Sequence, residues 1–177
     1  MHLLSDKLAG MIEAHTELIT KRWLSEIGTD QIISSYTSER LDYARERVAN
    51  ILFNLREWIS YDTTKVDIGR RYAAEGIEYF KKGVPLCEAV RSFVILKKTI
   101  WLFSLNECSI DSAYELYQMS EIYERIIIFF DQAIYYISRG YTEEMSRKMK
   151  ELWKLTDEDI DKVFFQKSFY GDRQKTC

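Results

Sequence analysis

Proline occurs once and glycine seven times in 177 residues. A sandwich, barrel or propeller of many short strands needs far more turn residues than that, so those architectures are excluded. Histidine occurs only as His2 and His15. A Ser-His-Asp or Cys-His device needs a histidine base beside its nucleophile, and no GxSxG motif accompanies either one. No Glu-x-x-His or His-x-x-x-His spacing is present, which argues against a di-iron carboxylate bundle. Neither GxGxxG nor GxxxxGKS occurs, so no glycine-rich loop is available to cradle a phosphate. The three cysteines, Cys87, Cys108 and Cys177, are odd in number and form no CxxC pair. They read as reduced thiols of a cytoplasmic protein. No catalytic residue, no metal site and no cofactor is expected.

What the chain does contain is apolar and charged residues, at 46% and 30%. That apolar content is too high for a disordered protein. The length suits one domain, which buries roughly 70% of its unfolded surface. Net charge is −3 with no basic stripe, so nucleic acid is not an expected partner. The most apolar stretches, residues 93–105 and 126–137, are broken by Lys97, Lys98 and Asp131. Both fall short of the roughly 20 residues that span a bilayer, so no membrane span is expected. Asp6 interrupts the N-terminus before an apolar run builds up, so no signal peptide is expected either.

The apolar spacing is helical nearly throughout. A first helix is predicted over 4–27, with Leu4, Leu8, Met11, Ile12, His15, Ile19 and Trp23 on one stripe. A second starts at a capping Ser38 and carries Leu41, Ala44, Val48, Ile51, Leu52, Leu55 and Ile59 on its apolar face. A third covers about 66–82. Gly83-Val84-Pro85 then marks a boundary, with glycine ending one helix and proline opening the next. The fourth helix, about 85–105, is apolar around most of its circumference and reads as a central element. The fifth begins near Ser109 and runs past Gly140 into an amphipathic stretch, YTEEMSRKMKELW. Thr156, followed by Asp157, Glu158 and Asp159, reads as a fresh helix start.

Few residues stand out as functional candidates. His15, on an apolar stripe, reads as a core histidine, or else as a ligand or pH-sensitive group. Trp23, Trp101, Phe129 and Tyr136 are core aromatics by spacing and also the candidates to line a small-molecule pocket. Arg45/Arg47, Arg70-Arg71 and Lys97-Lys98 read as solvated faces. Asp157, Asp159 and Asp161 mimic the start of a calcium loop, but Lys162 replaces the required glycine and Ser168 the bidentate glutamate. Residues 141–153 suit packing on a partner helix, including a second copy. Packing on the chain's own domain is the main alternative, and a membrane-surface helix is weakened by Glu143, Glu144 and Glu151.

One region carries a family resemblance. It runs Gly69-Arg70-Arg71-Tyr72-Ala73-Ala74-Glu75-Gly76-Ile77, then Gly83-Val84-Pro85-Leu86-Cys87-Glu88-Ala89-Val90-Arg91-Ser92-Phe93 and on to Trp101. With Lys21-Arg22-Trp23-Leu24, it resembles the N-terminal sensory domain of RsbRD-type stressosome co-antagonists and related helical domains associated with histidine kinases. The resemblance covers roughly residues 5–140, and its motifs are helix-boundary signals. The segment 78–82 is longer than that family's usual spacing. The resemblance implies a non-haem, globin-like helical domain that dimerises and is fused to an output domain or meets a signalling partner.

The resulting expectation is an all-α, single globin-like bundle of about five to six helices with a long C-terminal helix. Residues 1–140 would form a sensor domain and 141–177 an amphipathic helical extension and tail. The expected function is non-catalytic signal sensing in a cytoplasmic bacterial stress-response or two-component system, as a homodimer. The alternative is a small-molecule-binding or cofactor-binding bundle. On this reading the chain is a free-standing sensor or a piece of a longer protein.

Overall fold

A computed structural model describes residues 3–36, 38–59, 65–107 and 112–164. All regular structure among these residues is helical, in eight helices where five or six are expected: α1 (Leu3–Ala14), α2 (Thr16–Thr29), α3 (Ser38–Phe53), α4 (Leu55–Trp58), α5 (Lys65–Lys81), α6 (Leu86–Glu107), α7 (Ala113–Trp153) and α8 (Asp157–Phe164). None of them is long and apolar enough to cross a membrane. The chain divides into two compact units, Met1–Tyr141 and Thr142–Cys177.

The extra helices come from two breaks that share one construction. His15 interrupts the expected first helix, at φ −108° and ψ 22°. Its Nδ1 lies 2.8 Å from the carbonyl oxygen of Met11, four residues back. Asn54 interrupts the expected second helix, at φ −107° and ψ 18°, and its side-chain amide donates to the Asn50 carbonyl at 2.8 Å. A short polar side chain that bonds the i−4 carbonyl competes with the helical ladder and bends it. Both residues sit in the sparsely used bridge region between helix and strand. The apolar register carries on across each break, so Ile12 and Ile19, like Leu52 and Leu55, stay buried.

The other boundaries follow local chemistry. Gly83 has φ +66°, and its N–H donates to the Phe80 carbonyl while the Val84 N–H reaches Tyr79. This left-handed glycine closes α5 and satisfies carbonyls that the helix end leaves free. Pro85 directly precedes α6, which begins one residue later than predicted, and its carbonyl accepts from the Glu88 and Ala89 N–H groups. At α8, the Thr156 hydroxyl oxygen accepts from the Asp159 N–H while the Asp159 carboxylate accepts from the Thr156 N–H. Each residue thus supplies the other's missing partner.

The core of the first unit is assembled from every helix up to α7. Trp23, Leu52, Leu55, Tyr79, Leu96, Phe103, Phe129 and Phe130 are among its fully buried side chains. α6 is less enclosed than its composition predicts. Leu96, Ile100 and Phe103 are buried, but Val94, Leu102 and Leu105 face the surface on its other side.

Candidate functional site

The sequence-predicted candidates are dispersed. His15 is exposed, which corrects its expected place in the core; its ring touches Phe103 at 5.4 Å between centroids. Trp23 is buried and donates its indole N–H to the Ser92 carbonyl at 2.9 Å. Trp101 packs on Tyr123 with centroids 4.0 Å apart. Phe129 stacks on Trp58 and meets Tyr72 and Phe130 edge-on. Tyr136 lies over Gly69, where an added Cβ would meet its ring at 2.9 Å. No ring contact among the described residues joins two of these four. Of the acidic trio near Thr156, Asp159 serves the α8 cap and Asp157 pairs with Lys150, and no group of three His, Cys, Asp or Glu side chains able to hold a metal ion occurs among the described residues.

The structure instead gathers polar groups around two buried glutamates that sequence reasoning missed. Glu75 of α5 is 7% exposed. Its carboxylate accepts from the Tyr43 hydroxyl at 3.0 Å and lies 3.4 Å from Arg47 Nε, both on α3. Arg47, expected on a solvated face, is drawn inward and also covers the Tyr43 ring. Lys82 covers that ring as well, with its amine 4.5 Å from the centroid. Burial pushes the Glu75 carboxyl above its ordinary range, Arg47, Tyr43 and Arg71 pull it down, and Glu78 pushes it up. Burial prevails.

Tyr43 meets Tyr79 edge-on at 5.9 Å, and Tyr79 is wholly enclosed. Burial pushes the Tyr79 phenol well up, with Tyr36 and Glu75 adding to it. Tyr36 is raised to about 12, first by burial, and Glu88 pushes the same way. Ser92 and Tyr79, beside its buried hydroxyl, pull the other way and are outweighed. These phenols therefore stay neutral across the physiological range.

Glu88, in the first turn of α6, is buried with the opposite balance. Burial raises its carboxyl, but hydrogen bonds from Ser35 and Ser34 outweigh that and hold it below the usual range. The four donors are the N–H and hydroxyl of Ser35, at 2.8 and 2.6 Å, and those of Ser34, both at 3.2 Å. One turn further along, Arg91 donates twice to Asp30, at 3.0 and 2.9 Å. Together these contacts latch the α2–α3 connection onto the start of α6.

A third buried acid, Glu144, lies in the second unit and accepts from Arg147 at 2.8 Å. The signal that could have found all three is their register. Glu75 falls between Tyr72 and Tyr79 on the apolar stripe of α5, Glu88 precedes the buried Ala89, and Glu144 continues the Ile137–Tyr141 stripe. Chemically, the Glu75 cluster can hold or release one proton beside an arginine in a low-dielectric interior.

Comparison with family models, with curated proteins and with solved structures finds no match to this chain.

Proposed function

We propose that this chain is a non-catalytic sensing or regulatory domain, working through helix packing and as a homodimer in a cytoplasmic bacterial signalling pathway. The observation that carries this reading is α7. It is one uninterrupted helix of 41 residues. Its first part supplies the buried Ile122, Ile126, Phe129, Phe130, Ala133 and Ile137 of one compact unit, and its last turns belong to the other. A helix continuous from one unit into the next is a means for a packing change in the first to be felt in the second. The resemblance of residues 69–101 to stressosome sensory domains supports the same reading, including the globin-like arrangement and an output partner.

A switch needs two packings that a signal can bias. Glu75 supplies a group whose charge state and fit are coupled, on the helix that packs directly against α7. The test replaces the unknown signal with Glu75→Gln, which fixes the neutral form with little change of shape. Hydrogen exchange is then followed at residues 142–153. Protection there is expected to differ between the variant and the wild type at neutral pH. Identical exchange in 142–153, with altered exchange confined to α3 and α5, overturns the relay.

A further inference from the structure

The two buried glutamates of the first unit are supplied with very different numbers of donors. Glu88 accepts four hydrogen bonds from Ser34 and Ser35. Among the described residues Glu75 accepts one, from the Tyr43 hydroxyl. Arg47 Nε stands 3.4 Å from its carboxylate, outside the range of a good N–H···O bond. An ionised carboxylate has about four lone-pair sites to satisfy, and leaving them unmet in a dry interior is costly. The surroundings of Glu88 therefore suit a charged group, and those of Glu75 suit a neutral one. The groups facing Glu75 come from several sides. α3 presents Tyr43 and Arg47, and α5 itself presents Arg71, Tyr72, Glu78 and Tyr79. Tyr36, before α3, also lies within its field, and Lys82 reaches the Tyr43 ring. On α7, Tyr136 covers Gly69 and Tyr141 packs on Phe80.

A second observation is where Glu75 stands. It is one residue from the close crossing of α5 and α7. Gly76 lies against the backbone of Ile137 and Tyr141, and Gly140 against that of Ala73, with no room for a methyl group between them. We infer that Glu75 is a proton-operated switch for this crossing. When neutral, it lets α5 rest between α3 and α7. When ionised, it must draw Arg47 closer or admit water, and either change shifts α5 off its seat on α7. A main-chain contact this close is made or broken, with little between. The inference rests on the regulatory role proposed above and names its signal: a fall in pH closes the crossing and a rise opens it.

The test uses the full chain. The Glu75 carboxyl is followed by carbon-13 NMR from about pH 4 to 8, a range that covers ordinary and raised carboxylates. Its resonance is assigned by its loss in Glu75→Gln. Amide protection is measured over the same range at residues 73–79 and 137–141. The carboxyl is expected to titrate above the ordinary value of 4.5. As it ionises, protection at both segments should fall, by roughly tenfold for each pH unit between its folded midpoint and the ordinary one. The fall should vanish in Glu75→Gln. Tyr43→Phe keeps the carboxyl but removes its donor, so midpoint and loss of protection should move to higher pH together. A carboxyl that titrates at or below 4.5 overturns the switch. So does a loss of protection that persists in Glu75→Gln or fails to follow the midpoint in Tyr43→Phe. A pH step at 137–141 with no change at 142–153 supports the switch and overturns the relay. Constant protection at 137–141 overturns the switch, while the relay keeps its own readout at 142–153.

Discussion

At the scale of single residues, the two buried glutamates of the first unit make opposite demands on pH. Glu88 has its carboxyl lowered in the fold, so its hydrogen bonds stabilise the protein above the ordinary carboxylate range. That contribution is lost as pH falls through the folded value. Glu75 has its carboxyl raised, so its contribution is full below the unfolded value near 4.5 and is lost as pH rises through the folded one. Glu88→Gln leaves the Ser34 and Ser35 donors poorly matched and is expected to lower stability by about 1–3 kcal/mol at neutral pH. The deficit should shrink in acid. Glu75→Gln should show the reverse trend, comparing worst with the wild type in acid and gaining on it as pH rises. Urea unfolding of both variants at several pH values checks the signs; a parallel pH dependence for the two would refute the assignment.

At the scale of elements, the crossing of α5 and α7 depends on glycine. A Cβ on Gly76 would run into the backbone of Ile137 and Tyr141, and one on Gly140 into the backbone of Ala73. These neighbours are main-chain atoms that cannot swing aside. Helix propensity alone would favour Gly76→Ala by about 1 kcal/mol. Overpacking costs about 1–3 kcal/mol or more, so the clash wins and Gly76→Ala and Gly140→Ala should both lower the melting temperature. Gly28→Ala is the contrast: nothing lies within 4 Å of its added Cβ, so the propensity gain should survive. A stabilised Gly76→Ala would show that the helices can separate without loss. The sequence shows the rods themselves well, because period and caps are local: Ser38, Gly83 and Thr156 stand at or beside real boundaries. It hides the breaks at His15 and Asn54, because the apolar phase persists through them. It also hides which apolar sides stay open. α6 reads as enclosed, yet exposes Val94, Leu102 and Leu105, since enclosure is decided by neighbours distant in sequence. Likewise Glu75 is recognisable as a site only once α3 brings Tyr43 and Arg47 to it.

At the scale of the whole molecule, the distribution of the core decides what can be removed. The continuous apolar core runs from Leu8 to Ile137, with Tyr141 packed at its edge. Phe80 holds Tyr141 edge-on at 5.2 Å, so the first unit closes on a tyrosine that α7 itself provides. Past that point the described ion pairs are local to the second unit: Arg147 with Glu144 and Glu151, Lys148 with Glu151, Lys150 with Asp157, and Lys162 with Glu158. The exposed pairs among these contribute only about 0–1 kcal/mol each, whereas the hydrophobic term scales with the buried area of the first unit. A chain ending at residue 141 should therefore unfold cooperatively, with a melting temperature within a few degrees of the full chain. Residues 142–177 alone should be largely unfolded, because Glu144 and Ile160 are the buried residues described there and no apolar core accompanies them. If truncation at 141 instead abolishes the cooperative transition, the extension is part of the folding unit, and α7 cannot act as a rod that reports one unit's packing to another.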